Sequence, residues 1–277
     1  MSYSSLAAKE SATSQYSYQT PYSSIVLHVP HAKSDLPDDI RQALAATPSV
    51  NRLLQDRSNS YIDWFTDELF VPSAPHLRIH SIVFPWCRIY CDVERLPHDP
   101  LEAKGLGISM FRWDCFKDRA DSFRTRCYRD YMAHQRSVED LLMKCSTEGR
   151  TSPNDYPPVL LIDCHSFSTT PTELCTRPSD IDICIGYNDD WSRPTDAVLQ
   201  RVAAYFQEKG YKVGLNTPFS NSKTVDAPVE YHSLMIEVSK RLYMNEDTLT
   251  PSNHFAHLQN DLQSLYPLLL SPNRLGM

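Results

Sequence analysis

Glycine is scarce in this chain, at 7 of 277 residues. Neither G-x-G-x-x-G nor G-x-x-x-x-G-K-[ST] occurs, so a glycine-rich phosphate cradle is not expected. No run of Lys and Arg is present and the formal net charge is -7, which argues against a nucleic-acid partner. No apolar stretch approaches the ~20 residues that span a bilayer, so no membrane partner is expected either. The N-terminus lacks a basic region followed by an apolar run, and no secretion signal is read there. No C-x-x-C pair exists among the cysteines; Cys164 and Cys184 sit inside apolar runs as small hydrophobes. That usage suits a reducing, cytoplasmic protein. No G-x-S-x-G elbow occurs, which disfavours a serine hydrolase.

What is present points to a packed α/β protein. Hydrophobic residues make up 41% and charged residues 22%, enough for a core and against global disorder. Residues 1–22 are polar without apolar period and read as a flexible tail, leaving 23–277 as a single domain. Strands are expected at 24–30, 78–84, near 88–93, and at 159–163, 182–186, 211–215 and 234–238. Helices are expected at 38–47, 51–70, within 114–146, at 194–209 with Gly210 as its stop, and at 253–270. This alternation implies a mixed, mostly parallel central sheet with helices on both faces.

Two of these strands end in histidine, as Val29-Pro30-His31 and Asp163-Cys164-His165. Ligands bind beyond the carboxyl ends of parallel strands, so the two imidazoles can converge on one metal ion. The simpler reading is that each histidine caps its strand. A third ligand is expected to be a carboxylate. Asp63 and Asp67 lie one helical turn apart in the expected helix, and Asp63 sits deeper among apolar residues. Glu237 lies inside the apolar run Leu234–Val238, where a carboxylate is costly unless paired or used. It is a general-base candidate, or else the partner of Lys240 or Arg241. Arg88 and Arg95 could hold a substrate carboxylate or a developing oxyanion, or form surface ion pairs.

In order, Val29-Pro30-His31, Asp63-Trp64, Arg88 with Asp92 to Arg95, Asp163 to Ser166, Asn216 to Phe219, and Met235 to Met244 resemble the N-formylglutamate amidohydrolase family. The ordered set covers roughly residues 24–245. The resemblance implies a fold like that of zinc carboxypeptidases (phosphorylase/hydrolase-like). It implies one zinc ion on His31 and His165, Glu237 as base, and the two arginines on the carbonyl and the substrate carboxylate. The carboxylate that zinc carboxypeptidases carry three residues after the first histidine is Ser34 here; Asp63 is therefore taken as third ligand, with Asp35 and Asp67 as alternatives. Glu94 stands where the family pattern has Asn, and is expected to pair with Arg95 or to meet a cationic or hydroxylated part of the substrate. Asn216, His134, Arg241 and Tyr128 are further candidates for substrate contact or ligand support. The expected reaction is hydrolysis of the amide bond of a small N-formyl or N-acyl amino acid. A metallopeptidase, a deacylase of a secondary metabolite, and a catalytically silent ligand-binding relative are the alternatives.

Overall fold

The computed structural model describes residues 22–46, 61–147, 158–168 and 179–270. The expected tail over 1–21 and the first half of the expected helix at 51–70 lie outside these residues. Tyr22, counted with the tail, is instead buried: it bridges to Leu270 and its hydroxyl lies 3.0 Å from His232 Nδ1.

Six strands form one sheet: β1 (Ile25–Val29), β2 (Ile79–Val83), β3 (Val159–Phe167), β4 (Ile183–Gly186), β5 (Val213–Leu215) and β6 (Tyr231–Ser239). Their spatial order is β2-β1-β3-β6-β4-β5. The first four are mutually parallel; β4 runs antiparallel to β6, and β5 parallel to β4. The expected mixed, mostly parallel sheet is therefore present. β3 and β6 are fully or almost fully buried along nine residues each, so the continuous apolar runs of the sequence mark strands covered on both faces.

The two faces are covered by different helices. Leu160, Ile162, Cys164, Leu234, Ile236 and Val238 join a core with α2 (Thr66–Phe70), α4 (Asp196–Glu208) and α5 (Phe255–Leu269). Val26, Val159 and Leu161 pack on α3 (Ala120–Thr147). Helix α3 buries Phe123, Cys127, Tyr131, His134, Val138, Leu142 and Cys145, a spacing of three and four residues that lays one stripe along the helix. The period of two in β3 then sends Asp163 and His165 to the α3 side. Helix α4 begins on Thr195, whose side chain accepts from Val198 N, and is followed by Gly210 at φ 90.

Two expectations are corrected, and the stretch 114–146, expected as one or two helices, is two helical segments. Residues 88–93 form turns rather than a strand, although all six are buried. Their apolar alternation fills a second core around Tyr90, Phe111, Trp113, Phe116 and Phe123, not a sheet face. The stretch from 114 divides: a 3₁₀ segment spans Trp113–Arg119, Lys117 takes φ 55, and α3 follows. Within its described residues the helix expected at 51–70 is broken: Tyr61 is helical, and α2 starts only after Phe65 at φ 64. Asp63 consequently lies in a turn between Tyr61, which is helical, and α2; α1 (Asp38–Ala45) precedes them in the chain. All described cysteines are free. Among the described residues no helix is long and apolar enough to cross a membrane.

Candidate metal centre and its cavity

The carboxyl ends of three neighbouring parallel strands build the site. His31 follows β1, His165 lies near the end of β3, and Glu237 is its register partner on β6. Asp63 comes from the turn before α2, which is held on four sides. Its backbone N–H donates to His31 O at 2.9 Å, and Thr66 Oγ1 donates to Asp63 O at 2.8 Å. Lys240 Nζ donates to Ile62 O at 2.7 Å, and Tyr243 Oη to Trp64 O at 2.9 Å. The segment after β6 thus fixes the turn that presents Asp63.

Asp63 Oδ2 lies 3.0 Å from His165 Nδ1 and 3.6 Å from His31 Nδ1. The ligand atoms of His31, Asp63 and His165 all fall within 4.8 Å of one another, and the three residues are buried. His31 Nδ1 has no hydrogen-bond partner. A buried imidazole nitrogen of this kind needs a proton acceptor, a donor or a cation. The opposite ring nitrogens are tied back to carboxylates: His31 Nε2 lies 2.9 Å from Asp92 Oδ1, and His165 Nε2 lies 3.1 Å from Asp163 Oδ1. Carboxylates on Nε2 are the supports that metal-binding histidines use, since a proton held there would turn each Nδ1 lone pair towards the shared point when a cation is bound. Asp92 is gripped by Arg88 through Nε at 3.2 Å and Nη2 at 2.7 Å. Asp163 accepts from His28 at 2.8 Å and from Lys223 N at 3.1 Å. Two nitrogens and one carboxylate, supported in this way, fit a zinc ion with a position left open.

The charges are strongly perturbed. Burial opposes ionisation of Asp63, yet the His165 and His31 imidazoles beside it hold its carboxyl well below the usual range. Burial also opposes protonation of His165, but Asp163, Asp63 and Glu237 around it raise its pKa well above the ordinary histidine value. Glu237 is pushed up to about 8, first by burial and then by Asp63 and Asp163, against His165 and Arg88. Its Oε2 is buried and unpartnered, so no salt bridge to Lys240 or Arg241 consumes it.

A cavity of about 290 Å³ opens over this cluster. His31, Asp63, His165, Glu237, Arg88, Arg95 and Glu94 all line it. Arg88 is mostly occupied by Asp92, with Nη1 reaching the Tyr61 carbonyl at only 3.4 Å. Arg95 Nε lies 3.6 Å from Asp92 Oδ2 and has no hydrogen-bond partner. Glu94 faces His28 at 3.4 Å and Lys223 at 4.0 Å, not Arg95.

Four expected contacts lie elsewhere. Arg241 is spent on the carbonyls of Ser179, Asp180 and Ile181 and on Asp182 Oδ1 at 2.7 Å, because the reversed β4 brings the segment before it alongside. Asn216 takes φ 49 and its Oδ1 accepts from Tyr187 N at 2.8 Å, closing the β4–β5 end. His134 is buried under the site, 2.9 Å from His28 Nε2. Its pKa is lowered to about 2 by burial, with His28 and Lys223 adding. Tyr128 lies on the surface side of α3. Of the alternative third ligands, Asp35 is exposed and Asp67 pairs with Lys33. The sequence reading did not single out His28, Lys223 or Lys240 as supports; a polar residue inside a buried strand, as His28 is, was the available signal.

A sheet with histidines and a glutamate at adjacent strand ends, around a buried carboxylate, makes an α/β protein with a group of side chains that could hold a metal ion. The model of the N-formylglutamate amidohydrolase family matches residues 23–244, and the chain belongs to that family of amidohydrolases. The crystal structure of N-formylglutamate amidohydrolase from Ralstonia eutropha superposes with a TM-score of 0.66 at 20% identity, covering 91% of this chain and 94% of that one. A gene product of Agrobacterium tumefaciens gives 0.55 at 15% identity, covering 88% of each chain. At these identities the likeness is one of fold. No curated protein matches the sequence.

Proposed function

We propose that this protein hydrolyses the amide bond of a small N-formyl or N-acyl amino acid, with one zinc ion held by His31, Asp63 and His165 and with Glu237 as general base. The observation that supports it most is the placement of an unpartnered Glu237 carboxylate across from His165, beside two imidazoles whose Nδ1 atoms face one carboxylate oxygen. When bound, zinc supplies Lewis-acid polarisation of the scissile carbonyl and acidifies water.

The residues of the chain do the rest. Glu237 takes a proton from the attacking water as the C–O bond forms, then passes it to the amine nitrogen as the C–N bond breaks. Its raised pKa suits both halves of that exchange. Arg95 lines the cavity and only approaches Asp92, at 3.6 Å, which suits it to hold the substrate carboxylate. Arg88, loosely held at Nη1, can turn that group towards the developing oxyanion while Asp92 keeps its plane. The cavity volume suits a small molecule, at the lower end of ligand pockets.

Elemental analysis of the purified protein tests the metal, and hydrolysis of a formyl- and acyl-amino acid panel tests the activity. About one zinc per chain, lost in His31→Ala, Asp63→Ala and His165→Ala, is the expected result. Full zinc in His165→Ala, or no cleavage of any panel member by the zinc-loaded protein, would overturn the reading.

A further inference from the structure

The cavity wall is unevenly charged. Two guanidinium groups reach it, Arg88 and Arg95. Arg88 is neutralised by the bidentate contact with Asp92, which leaves Arg95 to meet an anion. Against it stand two carboxylates not tied into the metal cluster, Glu237 and Glu94. Glu94 Oε1 is buried without a hydrogen-bond partner. Behind it lie His28 Nδ1 at 3.4 Å, which is bound to Asp163, and Lys223 at 4.0 Å, which donates to Val93 O. One substrate carboxylate can therefore be matched in this cavity; a second would be desolvated beside Glu94 with no partner.

The remaining wall is apolar. Leu101, Phe167, Phe219 and Met235 line it, and the Phe167 and Phe219 rings lie with centroids 5.5 Å apart. Phe167 and Met235 come from the α3-facing positions of β3 and β6, the same side as His165 and Glu237. An apolar group attached to the scissile amide can then lie on these side chains while its single carboxylate meets Arg95.

From this juxtaposition we propose that the substrate is an N-acyl amino acid with one carboxylate and an apolar or aromatic side chain, and that Glu94 is the residue that excludes a second carboxylate. The proposal deepens the amidohydrolase reading and names its substrate class. Like-charge exclusion is the simplest way for a small site to reject a near relative of its substrate.

The test compares N-formyl-L-phenylalanine, N-formyl-L-leucine, N-formyl-L-lysine and N-formyl-L-glutamate in two measurements. The first is kcat/KM of the zinc-loaded wild type. The second is calorimetric binding to Glu237→Gln, in which the compounds stay uncleaved. Phenylalanine or leucine derivatives are expected to lead the glutamate derivative by about tenfold or more in both. Glu94→Gln should narrow that ratio by about tenfold, and Phe219→Ala should weaken the phenylalanine derivative more than the glutamate one. Preference for the glutamate or the lysine derivative overturns the proposal, as does a ratio unmoved by Glu94→Gln. If nothing is cleaved yet Glu237→Gln ranks the ligands as stated, the hydrolytic reading falls and the specificity stands; if cleavage occurs with glutamate preferred, the reverse holds.

Discussion

Two histidine–carboxylate clusters lie side by side in this protein, and both bring metal-ligating atoms within 4.8 Å of one another. One is His31, Asp63 and His165; the other is His28, Glu94 and Asp163. They share one face of the sheet and are joined through Asp163, which touches both His28 and His165. What separates them is the use of the imidazole nitrogens. In the second cluster both nitrogens of His28 are consumed, by Asp163 at 2.8 Å and by His134 at 2.9 Å. In the first, His31 Nδ1 is unpartnered and each Nε2 is anchored from behind. Proximity of donors is thus a poor guide to a metal site. The informative quantity is which lone pairs remain after the protein's own hydrogen bonds are counted.

The sharpest way to break this comparison is to remove one histidine from each cluster. His165→Ala should lose stoichiometric zinc and all measurable amide hydrolysis, while His28→Ala should keep about one zinc per chain; plasma emission spectroscopy distinguishes them. Equal zinc in the two variants would erase the distinction. Next in size, Glu237→Gln should retain the metal and bind substrate with little change in KM, yet lose about 10²–10⁴ in kcat. A kcat within a factor of two of wild type would remove Glu237 from the chemistry.

The anchors behind the two histidines should matter less than the ligands themselves. Asp92→Asn and Asp163→Asn are expected to weaken zinc affinity by about 10–100-fold, as measured by competition with a chelator. Affinity unchanged in both would mean that the Nε2 contacts do not orient the rings.

The smallest effect concerns His134, in the support cluster. Its folded pKa, about 2, lies below the ordinary value of 6.5, so the unfolded chain binds this proton and the folded protein does not. Stability must then fall as pH drops below 6.5, by up to about 1.4 kcal/mol per unit from this group. His134→Gln cannot titrate. Between pH 7.5 and 5.5 wild type should lose about 1.4 kcal/mol more than the variant in urea titrations. Parallel losses would show that His134 takes up a proton in the folded state.

The sheet was legible in the sequence where strands are buried on both faces, because Val159–Asp163 and Leu234–Val238 are unbroken apolar runs. Their true ends were not. β3 continues to Phe167 and β6 to Ser239, since the polar residues that follow each run are themselves buried by the site. The pair of histidines could be read because each terminates a run. Asp63 could be chosen by its apolar neighbours, but its turn could not be seen: nothing local indicates that Phe65 takes a positive φ. Residues 88–93 show why apolar alternation alone misleads, because a loop that lines a second core has the same pattern as a strand. Arg241 was misjudged for a different reason. Its partners lie 59 to 62 positions away, delivered by a strand reversal that no local pattern announces.

The contact between Lys240 and the Ile62 carbonyl joins positions 178 residues apart. The turn bearing Asp63 is therefore complete only once the chain has been made through β6 and docked in the middle of the sheet. A nascent or truncated chain ending before residue 240 would own both histidines and the aspartate, yet lack the strut that aims the aspartate between them. Under the proposed zinc reading, metal uptake would be a gauge of maturation: coupled binding and folding would make the metal the last component to arrive, and its release among the first signs of unfolding.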